Sequence, residues 1–141
     1  MNDRTIADII WHLMKGIPLP ANYTDEDQKR LLNDAGIVRN RLKIAATIAN
    51  AQNFLAVQKE FGSFDRYIWQ FTGHKTLRNV EGITMFTIPA STGESDAMSK
   101  DLKGRGFRFV GTTICYAIMQ SAGMVNDHID DCFRSPALDG F

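Results

Sequence analysis

The stretch NDHIDDC, residues 126–132, holds the side chains best suited to binding a metal ion. His128 and Cys132 stand four residues apart, so on a helix they would share one face. An imidazole nitrogen and a thiolate are preferred ligands of Zn²⁺, and a closed structural zinc site needs four ligands. The pair therefore predicts half of a tetrahedral site. The alternative is a histidine that is only solvated or paired with the neighbouring aspartates.

A second set of candidate residues lies in LLNDAGIVRNRLKIAATIANAQNFL, residues 31–55, which reads as two helices joined by a hairpin at 35–38. The second helix would begin with free N–H groups and a positive dipole end, with basic side chains beside them, and this arrangement suits a phosphate oxygen. We expect Gly36 to allow a left-handed or otherwise crowded backbone in the hairpin. A purely structural hairpin with solvated basic residues is the alternative. The residues predicted to contact a DNA backbone are Gly36, Ile37, Arg39, Asn40, Arg41 and Lys43.

A third set of polar side chains interrupts the apolar stretch that follows GRGFRFVG. Thr112, Thr113 and Tyr116 need partners if they are buried, as does Gln120. They are candidates for the lining of a small pocket. The alternative is that they bond to nearby backbone groups.

The elements that must position these residues are helical almost throughout. We predict helices at about 5–15, 24–35, 38–57 and 95–103, another capped by Ser63, and an apolar core helix at 112–122. The residues expected to face inward are Ile44, Ile48, Ala51 and Leu55 of the long helix and Ala97, Met98 and Leu102 of the 95–103 helix. No stretch alternates with period two over five or more residues, so the predicted fold class is all-α.

Length and composition indicate one helical domain over residues 1–141. No run of 18 apolar residues and no signal peptide occur, which predicts a cytoplasmic protein without a membrane span. The two cysteines are expected to be reduced. The formal charge is zero, yet residues 29–78 carry nine Lys or Arg and three acids, a local balance of +6. Such a basic block fits either a phosphate-binding face or a mixed solvated surface.

Three of these stretches resemble one family when taken together. NDAGIVRNRLKI, SDAMSKDLKGRGFRFVGTTICYAIMQSAGMVNDH and the trailing Cys132 are similar to the C-terminal two-thirds of DNA-3-methyladenine glycosylase I. The combination of RGFRFVGTTICY with GMVNDH is highly specific, and the resemblance runs over residues 23–132. Residues 1–20, which are predicted to form an N-terminal helix, match nothing in the family.

The resemblance implies an all-α helix-hairpin-helix DNA glycosylase-like domain that removes 3-methyladenine from double-stranded DNA in base excision repair. It assigns a DNA backbone site to residues 34–43 and two of four structural zinc ligands to His128 and Cys132. It also makes Thr112, Thr113 and Tyr116 candidates for one wall of the pocket that receives the base. The family's other zinc ligands and its base-reading glutamate lie in C-x-W, Y-H-D-x-E-W-G and E-x-x-Q-A-G-L-S-W segments, none of which occurs in these 141 residues. The expectation is therefore a glycosylase-like protein with activity reduced or lost. The alternative is a non-catalytic helix-hairpin-helix DNA-binding or interaction module on the same scaffold. For either function, self-association through the N-terminal region is a further expectation.

Overall fold

A computed structural model describes residues 25–78, 84, 86–129 and 132–134. These residues are mostly helical, so the all-α prediction is confirmed. A short 3₁₀ helix, Gln70–Thr72, follows the third helix. The α-helices are α1 (Asp25–Asn33), α2 (Arg41–Phe61), α3 (Phe64–Trp69), α4 (Gly93–Gly104) and α5 (Thr112–Ser121), and two-residue strands β1 (Leu77–Arg78) and β2 (Val125–Asn126) pair in parallel.

The chain divides into two compact units within α2, one ending at Gln52 and the other beginning at Asn53. The single domain expected from the length is not tested by this division and stays a prediction. The predicted N-terminal helix and the predicted start of the next helix at residue 24 lie outside the described residues. Among the helices that the structure describes, none combines the length and the apolarity that a bilayer crossing requires.

Side-chain caps set the starts of α3 and α4. Ser63 Oγ accepts a hydrogen bond from Arg66 N at 3.0 Å, which confirms the predicted cap of α3. Helix α4 begins two residues before the predicted Ser95, because Thr92 is its N-cap. Thr92 and Ser95 each bond the other's backbone N–H through a side-chain oxygen, forming a capping box.

The core of the second unit lies largely between α4 and α5. Met98 and Leu102 of α4 are buried as predicted, but Ala97 is exposed, so that prediction was wrong. Helix α5 was predicted to be a core helix, yet Ile114 and Ile118 are 53% and 41% exposed. The reason is geometric, since a helix packed on one side buries only one stripe of residues. The stripe of α5 consists of Cys115, Tyr116 and Met119.

Helix α2 does not keep one face inward along its length. Ile44 is buried as predicted, whereas Leu55 is 42% exposed and its inward assignment was wrong. Val57 is buried instead. At 3.6 residues per turn, Ile44 and Val57 point about 140° apart around the helix axis. The buried side of α2 therefore changes along the helix, which a single periodic stripe cannot predict.

Arg105 joins α2, α3 and α4 in the second unit. Its guanidinium donates from Nη1 to Glu60 Oε2 and from Nε to Asp101 Oδ2, each at 2.7 Å. The same Asp101 oxygen accepts the Tyr67 hydroxyl at 2.7 Å, and the guanidinium lies 4.9 Å and 5.0 Å from the ring centroids of Phe61 and Tyr67. Burial alone would raise the pKa of Asp101, but the hydrogen bonds from Tyr67 and Arg105 outweigh it and lower that pKa.

Candidate functional site

The predicted hairpin joins α1 to α2 through residues 34–40. Arg39, Asn40, Arg41 and Lys43 are all exposed, as expected for residues that contact a macromolecule, while Gly36 and Ile37 are partly buried. Val38 and Leu42 are also exposed, at 80% and 66%. The surface around the start of α2 therefore combines basic and apolar side chains. We refer to residues 36–43 below as the basic hairpin.

Two side-chain contacts shape the basic hairpin. Asp34 Oδ1 accepts from Gly36 N at 2.8 Å, and a Cβ added at Gly36 would lie 3.1 Å from that oxygen. Gly36 does not have a positive φ, so its backbone is not left-handed. Of the two conformations expected for Gly36, the crowded one is therefore present. Asn40 caps α2, because its Oδ1 accepts from Lys43 N at 3.0 Å. The sequence prediction had given Asn40 a role in binding but not this structural one.

The N–H groups of Arg41 and Leu42 lie in the first turn of α2, where helix geometry provides no internal acceptor. The capping by Asn40 satisfies only the third N–H of that turn. The two remaining donors, the helix dipole and the exposed side chains of Arg39 and Arg41 are the chemical requirements for holding a phosphate oxygen. The basic hairpin is therefore chemically able to bind a nucleic acid backbone in the absence of base readout.

The other candidate residues lie in the second unit, on α5 and on the segment that follows it. Gly123, with a φ of 75°, reverses the chain after α5, and Met124 N donates to Met119 O at 2.9 Å. Strand β2 then pairs with β1, and Thr76 Oγ1 donates to Gly123 O at 2.8 Å. These contacts return residues 124–127 along the side of α5.

A buried carboxylate meets two polar side chains of α5 at the end of this segment. Asp127 is 8% exposed, and its Oδ2 accepts from the Tyr116 hydroxyl in a short hydrogen bond and from Gln120 Nε2 at 2.8 Å. Tyr116 and Gln120 are four residues apart, so both reach the same side of α5. Within the described part of the chain, Asp127 Oδ1 is buried without a hydrogen-bond partner. Asp127 thus has capacity to accept one more donor.

Asp127 was not among the predicted site residues, because the sequence reading grouped it with the solvated aspartates of NDHIDDC. The sequence signal that could have identified a buried partner lies in α5. Tyr116 and Gln120 interrupt an apolar helix four residues apart, and two buried polar groups on one face require a shared partner. The sequence could predict that a partner was needed but not which residue would return to supply it.

The three predicted pocket residues have different surroundings and do not share a hydrogen-bond partner in the structure. Thr112 Oγ1 lies 2.5 Å from Asp96 Oδ1 and 2.9 Å from Ser95 Oγ, so it joins the start of α5 to the start of α4. Thr113 is exposed, and Tyr116 bonds Asp127. The partners are side chains rather than the backbone groups of the alternative. A role in lining a base pocket stays a prediction for all three residues.

His128 and Cys132 are close together, although neither lies in a helix. Cys132 Sγ is 3.5 Å from His128 Nδ1, and Cys132 N donates to Ile129 O at 2.9 Å. Zinc bonds of about 2.0 Å to nitrogen and about 2.3 Å to sulfur at a tetrahedral angle place the two ligands about 3.5 Å apart. The pair therefore fits two corners of a tetrahedral site. Across the residues that the structure describes, no group of three His, Cys, Asp or Glu side chains is placed to hold a metal.

Two buried tyrosines make stability sensitive to high pH. Burial, followed by the hydrogen bond to a carboxylate, raises the pKa of both Tyr67 and Tyr116 in the folded protein. In the unfolded chain each ionises near pH 10, so the unfolded state binds fewer protons above that pH and the free energy of unfolding falls. Each tyrosine contributes a slope of about 1.4 kcal/mol per pH unit, and the contribution is fully retained below pH 10.

We expect Tyr116→Phe to reduce this alkaline loss by about 1.4 kcal/mol in total between pH 9 and pH 11, because the tyrosine of the unfolded chain ionises progressively over that range. Urea unfolding between pH 9 and pH 11 measures it, and Tyr67→Phe is the matched variant with the same expected change. Identical slopes in all three proteins would show that neither hydroxyl titrates differently in the folded and unfolded states.

Comparison with known proteins gives consistent matches. A family model described as methyladenine glycosylase matches residues 17–135. DNA-3-methyladenine glycosylase 1 of Escherichia coli (strain K12) is 48% identical over 116 residues, covering 82% of this chain and 62% of that protein. A crystal structure of 3-methyladenine DNA glycosylase I superposes with a TM-score of 0.73 at 47% identity, over 80% of this chain and 62% of the other.

A more distant structure agrees with these. It is the 3-methyladenine DNA glycosylase I of Staphylococcus aureus, solved for the structural basis of 3-methyladenine recognition, with a TM-score of 0.75 at 28% identity. The match covers 82% of this chain and 61% of that one. The chain thus spans about three-fifths of the length of these relatives. The family-model match includes all of the described residues, among them the basic hairpin and the His128–Cys132 pair.

Proposed function

Because this chain belongs to the methyladenine glycosylase family, we propose that it acts on alkylated DNA, hydrolysing the N-glycosidic bond of 3-methyladenine. The observation that carries the proposal is the family match over residues 17–135. The relatives described above are glycosylases of this substrate by name, and the chain shares their helical fold. Base excision repair is the process to which such a reaction belongs.

We assign binding of the DNA backbone to the basic hairpin. The exposed Arg39, Arg41 and Lys43 lie where the first N–H groups of α2 face outward, and a phosphate between them would meet both full and partial positive charge. The exposed Val38 and Leu42 can lie against the sugar edge, which is apolar. Contacts of this kind position the protein on a duplex and are independent of sequence.

The chemical step requires the damaged base to leave the stack. The alkylated adenine carries positive charge, which weakens the glycosidic bond and favours contact with aromatic rings and carboxylates. The segments that supply the family's base-reading glutamate have no counterpart in these 141 residues. We therefore expect hydrolysis by this chain to be slow, and the alternative function is binding of DNA without hydrolysis.

One experiment separates the two functions. The 141-residue chain is incubated with duplex DNA that contains 3-methyladenine, and free base is measured beside the spontaneous loss from the same DNA. Release well above the spontaneous rate supports the glycosylase. Binding to the duplex without release supports the non-catalytic module, and failure to bind duplex DNA would contradict both functions. The Arg39→Ala, Arg41→Ala double variant is the matched control, because it removes the proposed hold on the DNA.

We also propose that His128 and Cys132 are ligands of a structural zinc ion. The 3.5 Å separation of their donor atoms supports the proposal. Zinc bound there would fix the turn after β2, and through it the segment that carries Asp127. Two further ligands are needed, and His12, a histidine of the unmatched N-terminal segment, lies outside the described residues.

We expect zinc bound by this chain to fall below one equivalent after dialysis, since two ligands hold a zinc ion weakly. Cobalt substitution gives a direct measure, because a cysteine ligand produces an intense thiolate-to-cobalt absorption. Cys132→Ala should abolish that absorption, and His74→Ala, which removes an exposed histidine elsewhere, should leave it unchanged. The same absorption in Cys132→Ala would exclude this thiol as a ligand, and one full equivalent of zinc would show that additional ligands are in place.

A further inference from the structure

A run of buried residues leads from β2 directly to the exposed His128. Val125 and Asn126 form β2 and are held by pairing with β1. Asp127 is the last buried residue of the run, and the next residue, His128, is exposed. Consecutive Cα atoms are only about 3.8 Å apart. The position of the imidazole therefore depends on how firmly residue 127 is held.

Asp127 is held from the side by α5, through the two donors that meet its Oδ2. The Tyr116 hydroxyl and Gln120 Nε2 both bond this oxygen, and they come from adjacent turns of one face of the helix. Two donors fix the direction of the carboxylate as well as its position. The His128 N–H adds a bond of 3.3 Å to Asn126 Oδ1. The backbone that carries the imidazole is thus fastened to α5 through one side chain.

Stability alone does not explain a carboxylate at position 127. Burying a charge costs free energy that an apolar side chain of similar volume does not cost. In the part of the chain that the structure describes, Asp127 Oδ1 is buried without a hydrogen-bond partner, which adds to the cost. Buried ionic groups can instead specify a geometry. The geometry that Asp127 specifies is the course of the chain at the next residue, His128.

We propose that Asp127 is the positioning residue of the His128–Cys132 pair, holding the imidazole where it and the thiolate bind one zinc ion. The inference rests on the zinc ligands proposed above and is independent of DNA hydrolysis. The donor atoms of the pair lie 3.5 Å apart, and this spacing is kept only while the backbone of His128 keeps its place. A segment fixed in advance spares the metal ion the entropy cost of ordering it. Ordering the backbone of one residue corresponds to about tenfold in a binding constant, which agrees with the effect of groups that lie behind metal ligands.

The test is a titration of the 141-residue chain and its variants with Co²⁺, followed by the thiolate-to-cobalt absorption. We expect Asp127→Ala to bind Co²⁺ about tenfold more weakly than the unaltered chain. Tyr116→Phe leaves the bond from Gln120 in place, so it should weaken binding by a smaller factor. Asp127→Asn keeps an oxygen for both donors and should retain most of the affinity. In all three variants the absorption per bound cobalt at saturation should match that of the unaltered chain, because both ligands remain.

Tyr67→Phe is the matched control, because it also removes a buried tyrosine hydroxyl that donates to a carboxylate, that of Asp101 at 2.7 Å. A general loosening of the second unit would weaken Co²⁺ binding in this control as well, and urea denaturation gives the stability of each variant. If Asp127→Ala does not fold, Tyr116→Phe against Tyr67→Phe makes the same comparison.

Two sets of outcomes separate the positioning role from the zinc ligands. Unchanged affinity in both Asp127→Ala and Tyr116→Phe, or an equal loss in Tyr67→Phe, would overturn the positioning role and leave the zinc ligands standing. Absence of the cobalt absorption in the unaltered chain, or its persistence in Cys132→Ala, would overturn the zinc ligands and the positioning role together.

Discussion

Replacing Arg39 and Arg41 together by alanine will lower the affinity of this chain for duplex DNA about 60-fold at 0.1 M salt. Each phosphate contact adds about 0.9 to the salt slope of the logarithm of the binding constant, so two lost contacts cost about eightfold each at that salt concentration. The salt slope itself should become shallower by about two. Because the contacts are to the backbone, the loss should be similar for all DNA sequences.

A titration of fluorescent duplex at several salt concentrations measures both quantities. The matched control is Lys59→Ala with Lys75→Ala, which removes the same charge from exposed positions outside the basic hairpin. If the control variant lost as much affinity and slope as the hairpin variant, binding would depend on net charge and the hairpin would have no special role. Unchanged affinity in the hairpin variant would count against the site altogether.

The largest expected effect on stability is that of Tyr67→Ala, a loss of about 3–5 kcal/mol in the free energy of unfolding. Tyr67 is fully buried, and its ring centroid lies 5.1 Å from that of Phe61 and 5.5 Å from those of Phe64 and Phe71. Removing the ring leaves a cavity among these aromatic residues. Small proteins are stable by about 5–15 kcal/mol, so the loss would leave a large part of the chain unfolded under mild denaturing conditions.

Tyr67→Phe separates the ring from its hydroxyl. It keeps the aromatic contacts and loses only the hydrogen bond to Asp101, which still accepts from Arg105, so the expected cost is about 1 kcal/mol. Urea denaturation at pH 7 compares the two variants. A cost for Tyr67→Phe equal to that for Tyr67→Ala would mean that the hydroxyl, and through it the Asp101–Arg105 network, carries the stability instead of the aromatic packing.

Local chemistry explains which sequence predictions were correct. The cap at Ser63 was predictable because capping depends on residues three apart in the chain. The closeness of His128 and Cys132 was predictable from a spacing of four, although neither of the two residues lies in a helix. The exposure of Arg39 and Arg41 followed from their place in a polar hairpin.

Predictions about which face of a helix is buried were less accurate, because burial depends on neighbours that are distant in sequence. Leu55 and Ala97 lie on plausible apolar stripes, and the actual packing of the second unit leaves both exposed. Phe109, in the connection between α4 and α5, has a φ of 58°, and no sequence signal predicted this left-handed conformation. Its positive φ follows from the anchoring of Phe107 and Val110 by residues of α4 and α5, and only the folded chain fixes that geometry.

The sequence by itself determined the helical fold class, the family and the chemical types available at each candidate position, because periodicity, caps and motif residues are local properties of the chain. Only the tertiary structure decided how these groups meet. It turned Asp127 from an apparent surface aspartate into the buried partner of Tyr116 and Gln120, since the reversal at Gly123 and the pairing of β2 with β1 carry it back along α5. Long-range contacts of that kind form when separate apolar surfaces pack together, and no short stretch of sequence encodes them.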